Sequence, residues 1–251
     1  DLRGNIFNDA LTGGYFIWNC YPERKVFTDG RLEIYGEKFL AEYKSVIDNP
    51  DVYWQKVTYK YKINYVLLQS LSPHSKNLIK YLYKNNNWKL AYFDEGGIVF
   101  VGSDYKIEPL IKKLNPENYS KPNKILALLS YANFFFFTEQ YQKAQSYYAA
   151  VLKLDPDFPE TYINLAASFF AQGKFRDAEM CYRMAIKKSK KYAEPFYGLA
   201  TLYLKKGDYN AAVEILGFAL RKKPIFPEAQ FLLCYIYLKT GNYDGAIKIC
   251  Q

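Results

Sequence analysis

Two short stretches near the start of the chain carry residue types that could bind a ligand. Asn8 is followed by the pair Gly13-Gly14, and Asp29-Gly30-Arg31 comes later. Glycines that open a helix expose main-chain amides to a phosphate or a carboxylate, and an Asp–Arg pair can hydrogen-bond a sugar or an anion. The sequence therefore predicts a candidate ligand pocket made of Asn8, Gly13, Gly14, Asp29, Gly30 and Arg31.

A structural interpretation of the same stretches stays open. Glycines permit tight turns, and Asp29 and Arg31 could tie two loops together. The glycine pair matches neither the G-x-G-x-x-G pattern of dinucleotide sites nor the G-x-x-x-x-G-K-[ST] pattern of P-loops. The two interpretations differ in geometry. A ligand site requires Asn8, Asp29 and Arg31 to converge on an open pocket, whereas a structural role requires a closed set of hydrogen bonds.

The remaining nucleophilic and metal-binding residue types do not form a recognisable set. His74 is the single histidine and follows Ser72-Pro73 in a predicted loop. None of the cysteines forms a C-x-x-C pair, at Cys20, Cys181, Cys234 and Cys250. Nucleophilic catalysis needs a base beside the nucleophile, and zinc sites need clustered ligands. We expect no catalytic residue, no metal site, no cofactor and no enzyme activity in this chain.

The elements that would position the candidate pocket predict an α/β domain over residues 1–109. Strand-like runs alternate with helical patterns, and Asp94-Glu95-Gly96-Gly97 is typical of a hairpin turn. This order predicts a three-layer domain whose mainly parallel sheet carries an antiparallel edge hairpin, followed by a connector over 110–124. The predicted strands are Asn5–Asn8, Lys25–Thr28, Tyr65–Gln69, Trp88–Phe93 and Ile98–Val101; the predicted helices are Gly14–Tyr21, Glu37–Ile47, Trp54–Tyr61 and Lys76–Tyr83.

A 34-residue period organises the second half of the chain. Small residues recur in two phases, at Ala132, Ala166, Ala200 and Cys234 and at Ala144, Ala178, Ala212 and Ala246. Gly173, Gly207 and Gly241 share a third phase, in which the first unit has Glu139. Each unit is predicted to be two closely packed helices joined by a turn that needs positive φ. The units span residues 125–158, 159–192, 193–226 and a shortened 227–251.

These phases closely resemble the tetratricopeptide repeat (TPR) family over residues 125–251. The resemblance implies an all-α superhelix that binds a protein or peptide in a groove lined by the first helix of each pair. By position, the partner-binding groove would present Asn133, Phe137, Tyr197, Thr201, Lys205, Phe231, Tyr235 and Lys239. The carboxylate clamp of some members is not expected, because Leu129 stands at its lysine position. A spacer surface that binds nothing is an equal alternative.

The N-terminal half carries a second resemblance, through Ile6-Phe7-Asn8, the segment 13–18, the segment 26–31 and Tyr35-Gly36. These are similar to the soluble extracytoplasmic region of bacterial membrane glycosyltransferase-like proteins of the dolichyl-phosphate-mannose mannosyltransferase type. The resemblance implies a membrane-bound parent, with membrane segments upstream of Asp1, and a location outside the cytoplasmic membrane. This fragment would then be a non-catalytic scaffold or, alternatively, an accessory domain that contacts a sugar carrier or acceptor. A cytoplasmic scaffold is the other alternative.

Charge and composition narrow the class of partner. The chain has a net charge of +9, and 50% of its residues are hydrophobic, which is typical of a globular protein. Its densest basic run, residues 187–191, falls at a predicted helix end, where the helix dipole favours cations. We therefore expect no nucleic-acid partner. An acidic protein or an anionic membrane surface stays open, as does self-association through the shortened last unit.

Overall fold

The computed structural model describes residues 4–20, 25–106, 108, 110–111, 114 and 119–250. The chain divides into two compact units, Asp1–Tyr147 and Tyr148–Gln251. The first unit contains the strands and the first helix of the repeat region, and the second contains the later repeats. The repeat pattern therefore begins within the first unit.

A mixed sheet lies at the centre of the first unit. Its order is β1-β2-β4-β3-β5, with β1 at Asn5–Asn8, β2 at Ile63–Gln69, β3 at Trp88–Phe93, β4 at Gly97–Gly102 and β5 at Leu110–Ile111. β1 pairs parallel with β2 and β3 with β5, whereas β4 runs antiparallel to β2 and β3. The β3–β4 hairpin was predicted correctly, but its place at the sheet edge was wrong. β4 lies between β2 and β3.

Helices cover one face of this sheet. They are α2 (Glu37–Asp48), α3 (Pro50–Tyr61), α4 (Lys76–Lys84) and α5 (Lys121–Phe137), and they bury Trp54 and Phe134 against Phe7, Val66 and Phe100. The opposite face carries a smaller cluster that includes Ile6, Tyr65 and Val101. This alternation follows the two-residue period of a strand. The predicted three-layer arrangement is supported only loosely, because the helices of the main core lie on a single face.

The loop after the first helix differs from the prediction. α1 spans Ala10–Cys20, so it begins before Gly14, and the predicted end at Tyr21 lies outside the described residues. Lys25–Thr28, predicted as a strand, has no strand structure. The Phe27 amide and the Thr28 carbonyl oxygen bond to the side chain of Asn8 and not to a neighbouring strand. The apolar run Val26-Phe27 thus belongs to a half-buried loop and not to the sheet.

Helical pairs form the second unit, as the 34-residue period predicts. After α6 (Tyr141–Leu154), the helices are α7 (Pro159–Ala171), α8 (Phe175–Lys188), α9 (Glu194–Lys205), α10 (Tyr209–Lys222), α11 (Pro227–Lys239) and α12 (Tyr243–Cys250). Each helix from α7 packs on the next in the chain. Gly173, Gly207 and Gly241 adopt φ of 73°, 78° and 76°, and the small residues Ala166 and Ala178 are fully buried. The predicted turn and the predicted close approach of the paired helices are confirmed.

The first repeat contributes to the core of the α/β domain. The ring of Phe93 on β3 lies 4.7 Å from Tyr131 and 4.1 Å from Phe134, both on α5, between centroids. Glu139, at the glycine position of the repeat, has φ of 62°. Helix α5 thus packs on the sheet, and the turn that follows it keeps the repeat geometry.

Candidate functional site

Asn8 lies at the carboxyl end of β1 and is fully buried. Its Nδ2 donates to the carbonyl oxygens of Thr28, at 2.7 Å, and Asp9, at 2.8 Å. Its Oδ1 accepts a hydrogen bond from the Phe27 amide at 2.8 Å. A primary amide has two donor hydrogens and one acceptor oxygen, so these bonds use every group that Asn8 offers. The side chain fastens the loop at 27–28 to the end of the strand.

Gly13 is needed for the same closure. An added Cβ atom at Gly13 would lie 2.0 Å from the Thr28 carbonyl oxygen, a distance at which atoms overlap. Helix α1 therefore touches the main chain of the loop at this position. Gly14 and Gly30 are exposed, with open space where a Cβ atom would lie. Gly13 thus lies at a close packing contact, and Gly14 lies at the surface.

Asp29 is buried beneath the exposed side chain of Arg31. The Asp29 carboxylate accepts hydrogen bonds from Arg31 Nη2 at 2.7 Å, from the Arg31 amide at 2.8 Å and from the Tyr35 hydroxyl at 2.9 Å. The hydrogen bond from the Arg31 side chain is the largest cause that holds the pKa of Asp29 well below its usual range. The carboxylate is thus ionised, and residues of its own turn supply its hydrogen bonds.

The two halves of the predicted pocket form separate closed networks. Asn8 binds the loop at 27–28, while Asp29 binds residues within its own turn. Each network is closed by its own hydrogen bonds, although the two networks do not bond to each other. Whether these residues contact a ligand stays an untested prediction.

Cys181 and His74 lie in different environments. Burial raises the pKa of the Cys181 thiol to about 11, which keeps it protonated and unreactive at neutral pH. His74 is exposed. Residues 4–20, 25–106 and 119–250 contain no cluster of His, Cys, Asp or Glu that could hold a metal ion. None of the helices in these ranges is long and apolar enough to cross a bilayer.

The groove residues of the second unit lie on α9 and α11. Phe231 and Tyr235 on α11 are 76% and 41% exposed, and Lys239 Nζ lies 5.7 Å from the centroid of the Tyr235 ring. Leu238 on the same helix is 53% exposed, although its position in the repeat did not predict it as a groove residue. Its spacing from Tyr235 places it on the same helical face. These residues, Phe231, Tyr235, Leu238 and Lys239, form what we call the α11 patch.

The α9 residues are less exposed than the α11 patch. Tyr197 is half-buried and its ring centroid lies 5.4 Å from that of Phe226. The Thr201 hydroxyl donates to the Tyr197 carbonyl oxygen at 2.9 Å, whereas Lys205 is exposed. Tyr197 thus contributes partly to packing between helices. None of the rings of Tyr197, Phe231 and Tyr235 is fully buried. Full burial of these rings would have excluded a binding surface.

Asn133 and Phe137 belong to α5, in the first unit. Both are half-buried. Phe137 packs against the main core of that unit, and its ring centroid lies 6.0 Å from that of Phe136. Asn133 and Phe137 are thus less accessible to a partner than the residues of the α11 patch.

Comparison with known proteins supports the repeat assignment. A family model described as tetratricopeptide repeat matches residues 138–182 and 203–251. Similar solved structures include MamA, with 24% identity over 51% of this chain and 75% of that chain, at a TM-score of 0.46. The first TPR of Spaghetti (RPAP3) bound to HSP90 peptide SRMEEVD has 23% identity over 47% of this chain and 94% of that chain, at a TM-score of 0.45. The Arabidopsis OM64 TPR domain has 21% identity over 48% of this chain and 99% of that chain, at a TM-score of 0.45. No curated protein matches the chain.

Proposed function

We propose that the chain is a non-catalytic interaction scaffold that binds a protein or peptide at its tetratricopeptide repeats. The observation that carries the proposal is the α11 patch, where Phe231 is 76% exposed on a helix whose opposite face is buried. Large aromatic side chains that are exposed beside other apolar groups are typical of protein-binding surfaces. A partner would gain affinity chiefly by removing Phe231, Tyr235 and Leu238 from water.

The side-chain charges of Lys239 and Lys205 favour a partner that carries carboxylates. Lys239 lies over Tyr235, and Lys205 is exposed on α9, so both cations remain accessible to solvent. A partner segment that carries apolar anchors and carboxylates would match this surface. Exposed ion pairs contribute little affinity on their own, so we expect the rings to dominate binding and the lysines to set its salt dependence.

A double substitution tests the proposal. Phe231→Ala with Tyr235→Ala removes the two rings, while Ile225→Ala removes an exposed apolar side chain that lies outside α11 and is 81% exposed. Each variant is crosslinked in lysate, and captured proteins are quantified against wild type. We expect the double variant to lose a partner that Ile225→Ala retains, with the melting temperature unchanged. Equal capture by both variants would reject the α11 patch as the binding surface and favour a spacer.

The membrane-bound parent is a second hypothesis, which rests on the N-terminal resemblance alone. In that case the chain lies outside the cytoplasmic membrane, as a scaffold or as an accessory domain for a sugar carrier or acceptor. The full-length reading frame tests this hypothesis directly. Several apolar segments of about 20 residues upstream of Asp1 would support it. A reading frame that lacks them would leave a cytoplasmic scaffold.

A further inference from the structure

A groove of about 400 Å³ lies along the solvent-facing side of α8 in the second unit. Its lining residues all belong to this helix and are Arg176, Glu179, Met180, Arg183, Met184 and Lys187. The buried residues of α8 lie on the other side of the helix and are Ala178, Cys181, Tyr182 and Ala185. The helix therefore packs through one side and leaves the groove open on the other.

Four of the lining residues follow a regular spacing. Arg176, Met180, Arg183 and Lys187 are separated by four, three and four residues. This spacing keeps side chains on one stripe of a helix, and a second helix packs along such a stripe in a coiled coil. At 1.5 Å per residue, Arg176 and Lys187 lie roughly 16 Å apart along the helix axis, which is about three turns. We call these four residues the α8 stripe.

The apolar part of the groove consists of methionine. Met180 is 60% exposed in the α8 stripe, and Met184 is half-buried one turn later. They are the two methionines of the whole chain. Methionine is flexible and polarizable, so it adapts to the side chains of a partner. A partner that covers Met180 gains affinity because it removes apolar surface from water.

The charges of the groove favour an acidic partner. Its lining carries three cations and the single carboxylate of Glu179, which already accepts hydrogen bonds from Arg183 and Lys206. Arg176 and Lys187, at the two ends of the α8 stripe, are exposed and form no ion pair with any residue that the structure describes. The exposed Asp177 flanks the groove without lining it. Arginine and lysine that are free in this way can pair with carboxylates of a partner.

The repeat itself does not require these side chains. The 34-residue period aligns Arg176, Met180 and Arg183 with positions on α6 and α10 that carry polar, acidic or small residues. These are Gln142, Ser146 and Ala149 on α6 and Asn210, Glu214 and Gly217 on α10. The same helical pair therefore forms without the α8 stripe, which leaves binding as the role that explains its residue types.

We propose that the α8 stripe binds an acidic α-helix of a partner protein. Carboxylates on the outer turns of that helix pair with Arg176 and Lys187, and an apolar residue between them packs on Met180. A groove on a single helix fits such a helix better than an anionic membrane, which is bound through a broad cluster of basic residues. The α8 stripe shares no residue with the α11 patch, so either proposal can fail without the other.

Fluorescence anisotropy of the full chain tests the proposal with a labelled helical peptide of about 20 residues. The peptide carries Glu at the seam positions on both sides of one Leu. We expect saturable binding that weakens by about tenfold when the seam Glu residues are replaced by Gln, or when the Leu is replaced by Ala. Failure of the Glu peptide to bind, or equal binding of the Gln peptide, overturns the proposal. Binding to phosphatidylserine vesicles that depends on Arg176 and Lys187, and that the peptide does not displace, would assign the α8 stripe to a membrane and also overturns it.

Matched variants locate the binding. Arg176→Ala with Lys187→Ala should weaken the Glu peptide by about fivefold or more at an unchanged melting temperature, because both side chains are exposed and unpaired within the described residues. Lys222→Ala with Lys248→Ala removes the same net charge from exposed positions on α10 and α12 and should change affinity by less than about twofold.

The apolar contact has its own pair of variants. Met180→Ala should weaken the Glu peptide by about fivefold, whereas Met180→Leu should retain its affinity, because leucine keeps the apolar volume. Equal losses in the two double-lysine and arginine–lysine variants would show attraction by net charge alone and overturn the assignment to the α8 stripe. Unaltered affinity in Met180→Ala would do the same.

Discussion

Glu139 Oε2 accepts a hydrogen bond from Lys84 Nζ at 2.6 Å. Its other oxygen, Oε1, lies 2.8 Å from Lys80 Nζ, also on α4. Glu139 adopts φ of 62° at the turn where the later repeats have glycine. A non-glycine residue at this φ is strained, so the first repeat retains a costly backbone conformation together with two ion pairs to the sheet domain.

Substitution of Glu139 separates the strain from the ion pairs. Glu139→Gly removes both, whereas Glu139→Gln keeps the strain and removes the charge. We expect Glu139→Gln to lower the free energy of unfolding by about 0.5–1 kcal/mol, because the pairs are partly exposed. Glu139→Gly should be less destabilising, since glycine relieves about 1 kcal/mol of backbone strain. Urea unfolding measures both, and a larger loss for Glu139→Gly would contradict the strain argument.

The ion pairs also predict how stability depends on pH. Hydrogen bonds from Lys80 and then Lys84 lower the pKa of Glu139 in the folded chain. A lowered folded pKa contributes stability above the unfolded pKa, and this contribution is lost as pH falls through the folded value. The difference between wild type and Glu139→Gln should therefore shrink on acidification and also in 1 M salt. A difference that persists under both conditions would mean that the Glu139 charge is not its source.

Asn8 supplies a stability prediction for the closed loop. Asn8→Ala leaves the Phe27 amide and the Thr28 carbonyl oxygen without their partner, and should cost about 2–3 kcal/mol of unfolding free energy. Asn77→Ala is the control, because Asn77 makes an exposed hydrogen bond to the Asp48 carbonyl oxygen and should cost under about 1 kcal/mol. Equal losses in denaturant titrations would show that Asn8 does not hold the loop.

The repeats were predictable from sequence because their signal is local and recurs. One unit fixes the turn at Gly173 and the close contact at Ala178, and each following unit repeats the evidence at the same spacing. Sequence reasoning also located β2 and the β3–β4 hairpin, whose turn residues are adjacent to their strands. The position of β4 inside the sheet depends on pairing between distant segments, and no local pattern encodes it.

The α/β site was harder to predict for a physical reason. The pattern of Asn8 near an apolar run fits a ligand site and also a residue that holds a loop in place, because both roles need the same donors. A cavity of about 400 Å³ is lined by Tyr43 on α2 and Ser75 at the start of α4, which are far apart in sequence. Their only local signal was Ser72-Pro73-His74-Ser75 directly after a buried strand. The missing capping bond of Ser75 is visible only in three dimensions.

A matched pair of helical glycines tests the packing of the repeats. A Cβ atom at Gly198 on α9 would lie 2.3 Å from the Tyr182 ring on α8, whereas one at Gly217 on α10 would meet Arg221 Nη1 at an ordinary 3.6 Å. Alanine favours helices over glycine by about 1 kcal/mol, so Gly217→Ala should raise the unfolding free energy by about that amount. Gly198→Ala should instead lower it by about 1–3 kcal/mol through overpacking. Both variants are compared by thermal unfolding, and a stabilising Gly198→Ala would show that Tyr182 moves aside.

A second pH dependence should come from Glu179 on α8. Its carboxylate accepts hydrogen bonds from Lys206 Nζ at 2.8 Å and from Arg183 Nη2 at 2.9 Å. The hydrogen bond from Lys206 is the largest cause that lowers the pKa of Glu179 to about 2. The folded pKa lies below the unfolded one, so the interaction stabilises the fold at neutral pH and is lost as pH falls towards 2.

Glu179→Gln should therefore cost about 1–2 kcal/mol of unfolding free energy at neutral pH, after allowance for solvent screening. The wild-type and variant curves should converge as pH approaches the lowered pKa, because protonated glutamate resembles glutamine. Glu214→Gln on α10 is the control, since Glu214 is exposed and its replacement should change stability by less than about 0.5 kcal/mol. Denaturant unfolding across the acid range measures all three proteins. Parallel curves for wild type and Glu179→Gln would show that the carboxylate charge does not contribute, and that the hydrogen bonds from Arg183, Tyr203 and Lys206 to Glu179 act as neutral contacts.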